Sequence, residues 1–78
     1  MGYERSTYFY DRSGKLTENR SSDSVIQVTS VEHDVYGRPS FDAVVLDRDG
    51  ATEALQTLRR TRSTKECSAI KEALRLDS

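Results

Sequence analysis

Three Asp-x-x-Gly tetrads, at Asp11 and Gly14, Asp34 and Gly37, and Asp47 and Gly50, constrain this chain more than any other feature. Each carries the chemistry of a tight turn. The Asp side chain accepts from a backbone N–H two residues on, and Gly supplies the positive φ that closes a bulged hairpin. Their spacing predicts a first hairpin from strands 6–10 and 15–19, and a second from strands 24–33 and 38–46. The third tetrad ends a strand and starts a helix. Pro39 stands at the entry of the fourth strand, where a missing N–H is tolerated.

Alternation gives these strands readable faces. Tyr8 and Tyr10 share one side of the first strand, and Thr7 and Phe9 take the other. In the third strand Ile26 and Val28 lie together, opposite Val25 and Val31. In the fourth, Ala43 and Val45 oppose Val44 and Leu46. Both faces of the central strands are therefore partly apolar: one takes the helices, and the other is a candidate contact surface.

Two helices follow. Ala51, Ala54, Leu55 and Leu58 fall at i, i+3, i+4 and i+7, a narrow apolar stripe that Asp49 or Gly50 can cap. The second helix opens with Ser63-Thr64-Lys65-Glu66, a capping box, and carries Cys67, Ala69, Ile70, Ala73, Leu74 and Leu76 over about half its circumference. Glu66 falls inside that apolar arc, which its capping role explains. The arc is wider than one sheet face needs, so it sits between sheet and first helix or is shared with a partner. The expected fold is α+β: a four-stranded antiparallel sheet of two β-hairpins, followed by two C-terminal α-helices packed on one face. It forms one small domain over residues 1–78, with the hairpins in 1–47 and the helical pair in 50–77.

A chain of 78 residues buries only about 60% of the surface its unfolded form exposes. A homodimer or a partner would supply the missing burial. The net charge of −1 gives no overall basic field toward nucleic acid. Residues 1–50 hold six Lys/Arg against nine Asp/Glu, and residues 51–78 six against four, so the tail is mildly basic. The single cysteine, Cys67, excludes an internal disulfide and a cysteine-built zinc site, and fits a reducing compartment. The first residues show no apolar leader, and the longest apolar run, Ala43 to Leu46, is far too short for a membrane span. The expected location is cytoplasmic.

Catalytic and cofactor motifs fail on inspection. His33 lies between Glu32 and Asp34, but strand alternation turns those carboxylates away from its imidazole. Cys67 falls on an apolar helix face, the wrong setting for a thiolate. Asp47-Arg48-Asp49-Gly50 resembles part of a calcium loop, yet Val45 and Gln56 stand where further oxygen ligands belong. Gly14-Lys15 lacks the earlier glycine of a phosphate loop. The reading is no enzyme, no cofactor and no metal.

Two side-chain sets remain as binding candidates. Tyr8, Tyr10 and Tyr36, with Arg12 and Arg38, are the expected protein-binding residues, because tyrosine delivers contact area at low entropy cost. The acidic neighbours Asp11, Glu32 and Asp42 suit a protein partner better than a nucleic acid. The other set is Arg59, Arg60, Arg62 and Lys65, in the turn between the helices. A helix–turn–helix reader places such charges on phosphates, although a helix C-terminus also favours Arg for its dipole.

The stretch Tyr8-Phe9-Tyr10-Asp11-Arg12-Ser13-Gly14-Lys15-Leu16-Thr17 resembles one YD repeat of the Rhs and teneurin shell proteins, and Asp34-Val35-Tyr36-Gly37-Arg38-Pro39-Ser40 looks like a degenerate second copy. The match covers under a quarter of the chain and reflects shared hairpin chemistry; no shell function is carried over. In size and composition the chain also looks like phage-encoded inhibitors of host defence, such as anti-CRISPR proteins, a class without a common motif. The expectation is a non-enzymatic protein-binding module, an inhibitor or adaptor acting on a larger assembly. The alternative is a small nucleic-acid-binding regulator using the basic turn.

Overall fold

The computed structural model describes residues 4–32 and 39–76. Within them run β1 (Glu4–Asp11), β2 (Leu16–Thr17), β3 (Ser24–Glu32), β4 (Pro39–Val45), α1 (Arg48–Thr61) and α2 (Thr64–Leu76). The strands form one antiparallel sheet in the order β2-β1-β3-β4. This is the α+β architecture that the turn spacing predicts. The second tetrad, with His33, Tyr36 and Arg38, lies outside the described residues.

The first tetrad forms its turn as the chemistry requires. Asp11 Oδ1 accepts from Ser13 N at 2.9 Å, Ser13 Oγ at 2.7 Å and Lys15 N at 2.9 Å. Gly14 donates to the Asp11 carbonyl at 2.9 Å with φ +85°, a backbone state that side chains with a Cβ resist. The carboxylate is held below the usual Asp range, chiefly by the Ser13 hydroxyl and the Lys15 amide.

The third tetrad works differently from expectation. Asp47, not Asp49 or Gly50, is the N-cap of α1; its backbone is extended and its side chain accepts from Gly50 N. The helix starts at Arg48, so Gly50 lies in its first turn and has no positive φ. Glycine is needed there for space. A Cβ would fall 3.0 Å from Val25 Cβ and closer still to Val25 Cγ1.

Val25 owes that position to a β-bulge. Tyr10 pairs with Ile26 and Asp11 with Ser24, which leaves Val25 unopposed and turns it toward the helices. Strict alternation puts Val25 opposite Ile26; instead both are buried. The Val25 carbonyl accepts from Leu46 N at 2.9 Å and Asp47 N at 3.2 Å, tying the bulge to the start of α1.

The register sorts the sheet into two faces. Tyr10, Ile26 and Val45 form one row, and Tyr8, Val28 and Ala43 the next, all on the helix-covered side. The α1 stripe meets them as expected: Ala51, Ala54, Leu55 and Leu58 are buried. From α2 come Ile70 and Leu74, while Leu76 stays 79% exposed. The wide arc of α2 is therefore consumed by β4 and α1 except at its last residue. Arg48 Nη1 donates to the Leu74 carbonyl at 2.8 Å, joining the start of α1 to the end of α2.

Candidate functional site

Beneath α2 the chain builds a polar knot. Glu66 is buried, and its Oε2 accepts from the hydroxyl of Tyr8 at 2.8 Å and from the hydroxyl of Tyr10. The two rings meet edge to face, with centroids 5.6 Å apart and an interplanar angle of 84°. The Arg62 guanidinium carbon lies 5.6 Å from the centroid of the Tyr10 ring. Burial, then the hydrogen bond to Glu66, pushes both phenols well above the ordinary tyrosine value. The capping box is thus only half formed. Ser63 Oγ accepts from Glu66 N at 3.3 Å, but the Glu66 carboxylate turns into the sheet instead of back to the cap.

Within the expected protein-binding set, both described tyrosines turn toward the helices. Tyr10 has no exposed surface and Tyr8 is partly buried, because alternation points both at the helices. Their rings pack in the core, Tyr10 fully and Tyr8 in part. Arg12 is exposed, but it clamps the first turn onto α1 through Glu53 at 2.8 Å and Asp47 at 3.4 Å. Tyr36 and Arg38 lie outside the described residues.

Among the described residues, no helix covers the opposite face of the sheet. Thr17, Phe9, Gln27 and Val44 make one row across all four strands, and Thr7, Thr29 and Asp42 make the next. Val31 follows, paired with Arg5 and Ser40. Val44 is 52% exposed, and Phe9 and Val31 are partly so. Three apolar side chains therefore stand interspersed among hydroxyls, an amide and a carboxylate.

The basic set divides. Arg59 and Arg60 close α1, and Arg62 is its C-cap, its N–H donating to the Leu58 carbonyl at 2.8 Å. Arg59 and Arg62 then line an open groove of about 390 Å³ with Thr64, Cys67, Ser68 and Lys71. Arg60 and Lys65 are exposed and do not line it. A larger cleft, about 840 Å³, runs past Arg12 and Arg20 but also past Asp11, Asp23 and Asp47, so its carboxylates outnumber its cations.

Cys67 donates its thiol to the Leu58 carbonyl at 3.3 Å. Burial, with the nearby Glu66 charge, pushes its pKa up, so it is a protonated thiol at neutral pH. Among the described residues no group of three His, Cys, Asp or Glu side chains is placed to hold a metal ion. No helix among them is long and apolar enough to cross a membrane.

No family model, no curated protein and no solved structure matches this chain.

The sequence marks a second sheet face as a candidate contact surface, but alternation alone does not say which face the helices take. Phe9 alternates against Tyr8 and Tyr10, so burying one set exposes the other. The deciding signal was Glu66: a carboxylate inside an apolar arc needs buried hydrogen-bond donors, and phenolic hydroxyls supply them.

Proposed function

We propose that this protein is a non-enzymatic, cytoplasmic binding module that docks on another protein through the open face of its sheet. The observation that carries this reading is the row Thr17, Phe9, Gln27 and Val44, which no described helix covers, with Val31 two rows away. Helices cover one side of the sheet, yet the other side keeps Val44 half exposed where a purely solvated face would carry polar residues. Small size and a sheet braced from behind give a rigid platform, which lowers the entropy lost on docking. An inhibitor or adaptor of a larger assembly fits such a platform. The protonated Cys67 and the engaged Glu66 carboxylate support a role without a nucleophile.

The alternative, a nucleic-acid-binding regulator, draws less support. Of its four cations, Arg59 and Arg62 line the groove and Arg60 and Lys65 do not.

The test is affinity capture from host lysate with nuclease present, comparing the natural chain with Val44→Lys and with Phe9→Thr. The reading expects a stoichiometric protein partner that survives nuclease and is lost with Val44→Lys at unchanged thermal stability. Capture equally strong with both variants would remove the open face from the account.

A further inference from the structure

We infer that the groove between the end of α1 and the outer face of α2 is a binding site for a phosphate monoester. It is separate from the open sheet face, because it lies in the helical layer. Arg59 and Arg62 enter it from the end of α1, and Lys71 from α2. Thr64, Ser68 and Lys71 recur along α2 at i, i+4 and i+7, so their side chains share one stripe.

The charge pattern sets this groove apart. Several other cations have partners: Arg12 pairs with Asp47 and Glu53, Arg75 with Glu72, and Arg48 with the Leu74 carbonyl. The groove lining holds three cations and no carboxylate. Of the acids next to lining residues, Glu66 is held by Tyr8 and Tyr10 and Glu72 pairs with Arg75. Three cations facing one groove can be joined by an anion.

The chemistry of the lining selects the anion. Two guanidinium groups offer planar donor forks that match phosphate oxygens, and the ammonium adds a point charge. The Thr64 and Ser68 hydroxyls can donate to the remaining oxygens. Three positive charges balance the dianion of a monoester better than the single charge of a diester. A volume of about 390 Å³ admits the phosphate with part of its carrier and leaves the rest outside. Arg62 links the groove to the core, because its guanidinium also rests over the Tyr10 ring and is held in place before any ligand arrives.

The test is a nuclear magnetic resonance titration of the natural chain with phenyl phosphate and with dimethyl phosphate, repeated on the Arg59→Gln, Lys71→Gln double variant. Both substituted residues are exposed, and thermal unfolding checks that the variant keeps its fold. Saturable shifts confined to residues 59–71 with phenyl phosphate, weakened about tenfold or more in the double variant, are expected from the loss of charge-assisted bonds. Dimethyl phosphate should bind more weakly. Equal affinity in both proteins, shifts spread over all surface cations, or no preference for the monoester would overturn the proposal. A phosphoserine peptide and a 5′-phosphorylated trinucleotide, each against its unphosphorylated form, then identify the carrier by which gains more from its phosphate. These readouts do not involve Val44 or Phe9, so they stand or fall separately from the docking face.

Discussion

The Tyr10 hydroxyl, on the second-last residue of β1, donates a hydrogen bond to the buried carboxylate of Glu66, which stands 56 positions later in the first turn of α2. Tyr8 donates to the same oxygen. One acceptor thus holds two strand residues and fixes which face of the sheet lies under the helices.

Removing that acceptor should cost more than altering it. Glu66→Ala leaves two phenolic hydroxyls without a partner and is expected to lower stability by about 1–3 kcal/mol. Glu66→Gln keeps a side-chain oxygen and should lose less. Tyr10→Phe removes one donor from a buried carboxylate and should fall near Glu66→Ala. Denaturant midpoints of the three variants check the order.

The same contact sets an alkaline limit. Both phenols titrate above their unfolded value of about 10. The folded state therefore holds its protons longer, and the stability that this provides is complete below that value and is lost as pH rises past it. Tyrosinate absorbance should show Tyr8 and Tyr10 titrating above the free phenol value, together with loss of ellipticity. Tyr8→Phe, Tyr10→Phe should move the alkaline transition upward relative to its own neutral stability.

The Asp11 turn works at the acid end. Its folded pKa is depressed, so the stability it gives is present above the usual Asp value of about 3.9 and fades as pH falls through the lower folded value. Asp11→Asn retains an acceptor for Ser13 and Lys15 and should flatten the acid limb of a stability profile. Gly14→Ala forces a Cβ into φ +85° and against Thr57, with contacts at 3.1 Å, and should cost about 1–2 kcal/mol at any pH.

At Gly50 two rules oppose each other. Alanine in a helix gains about 1 kcal/mol over glycine, yet its Cβ here enters the space of Val25. The clash should win, making Gly50→Ala destabilising, and Val25→Ala should partly rescue it. A double-mutant cycle by urea unfolding measures that coupling.

The Arg12 bridges are expected to matter little. Both partners are about half exposed, so Arg12→Ala should leave the urea midpoint nearly unchanged, and high salt should shrink the difference further.

Much of the fold was legible because local chemistry and tertiary packing agree at particular residues. Asp11 and Gly14 specify their turn without help, and the Ala51–Leu58 spacing specifies a helix with one buried stripe. Where the reading went astray, a long-range contact overrode a local rule. The bulge at Val25 is set by Asp47 and Leu46 hydrogen-bonding back to its carbonyl, which no alternation pattern records. Gly50 looked like a turn glycine but is a space glycine, since the atom that excludes a Cβ lies 25 residues earlier. At the candidate site the tyrosines were judged by residue type alone. Their placement depends on Glu66, and once they turn inward, Phe9 and Val44 turn outward. The basic turn was located from its charges, but its division into groove and exterior depends on how α2 leaves Ser63.

The central claim is that the open sheet face, and not the tyrosine face, meets the partner. The most direct measurement is hydrogen–deuterium exchange of the protein alone and in complex with its captured partner. The account predicts new protection centred on β4 and on the Glu4–Tyr8 part of β1, beyond the reach of β2, with α1 and α2 unchanged. Protection confined to the helices, or exposure of the Tyr8 and Tyr10 segment on binding, would contradict it.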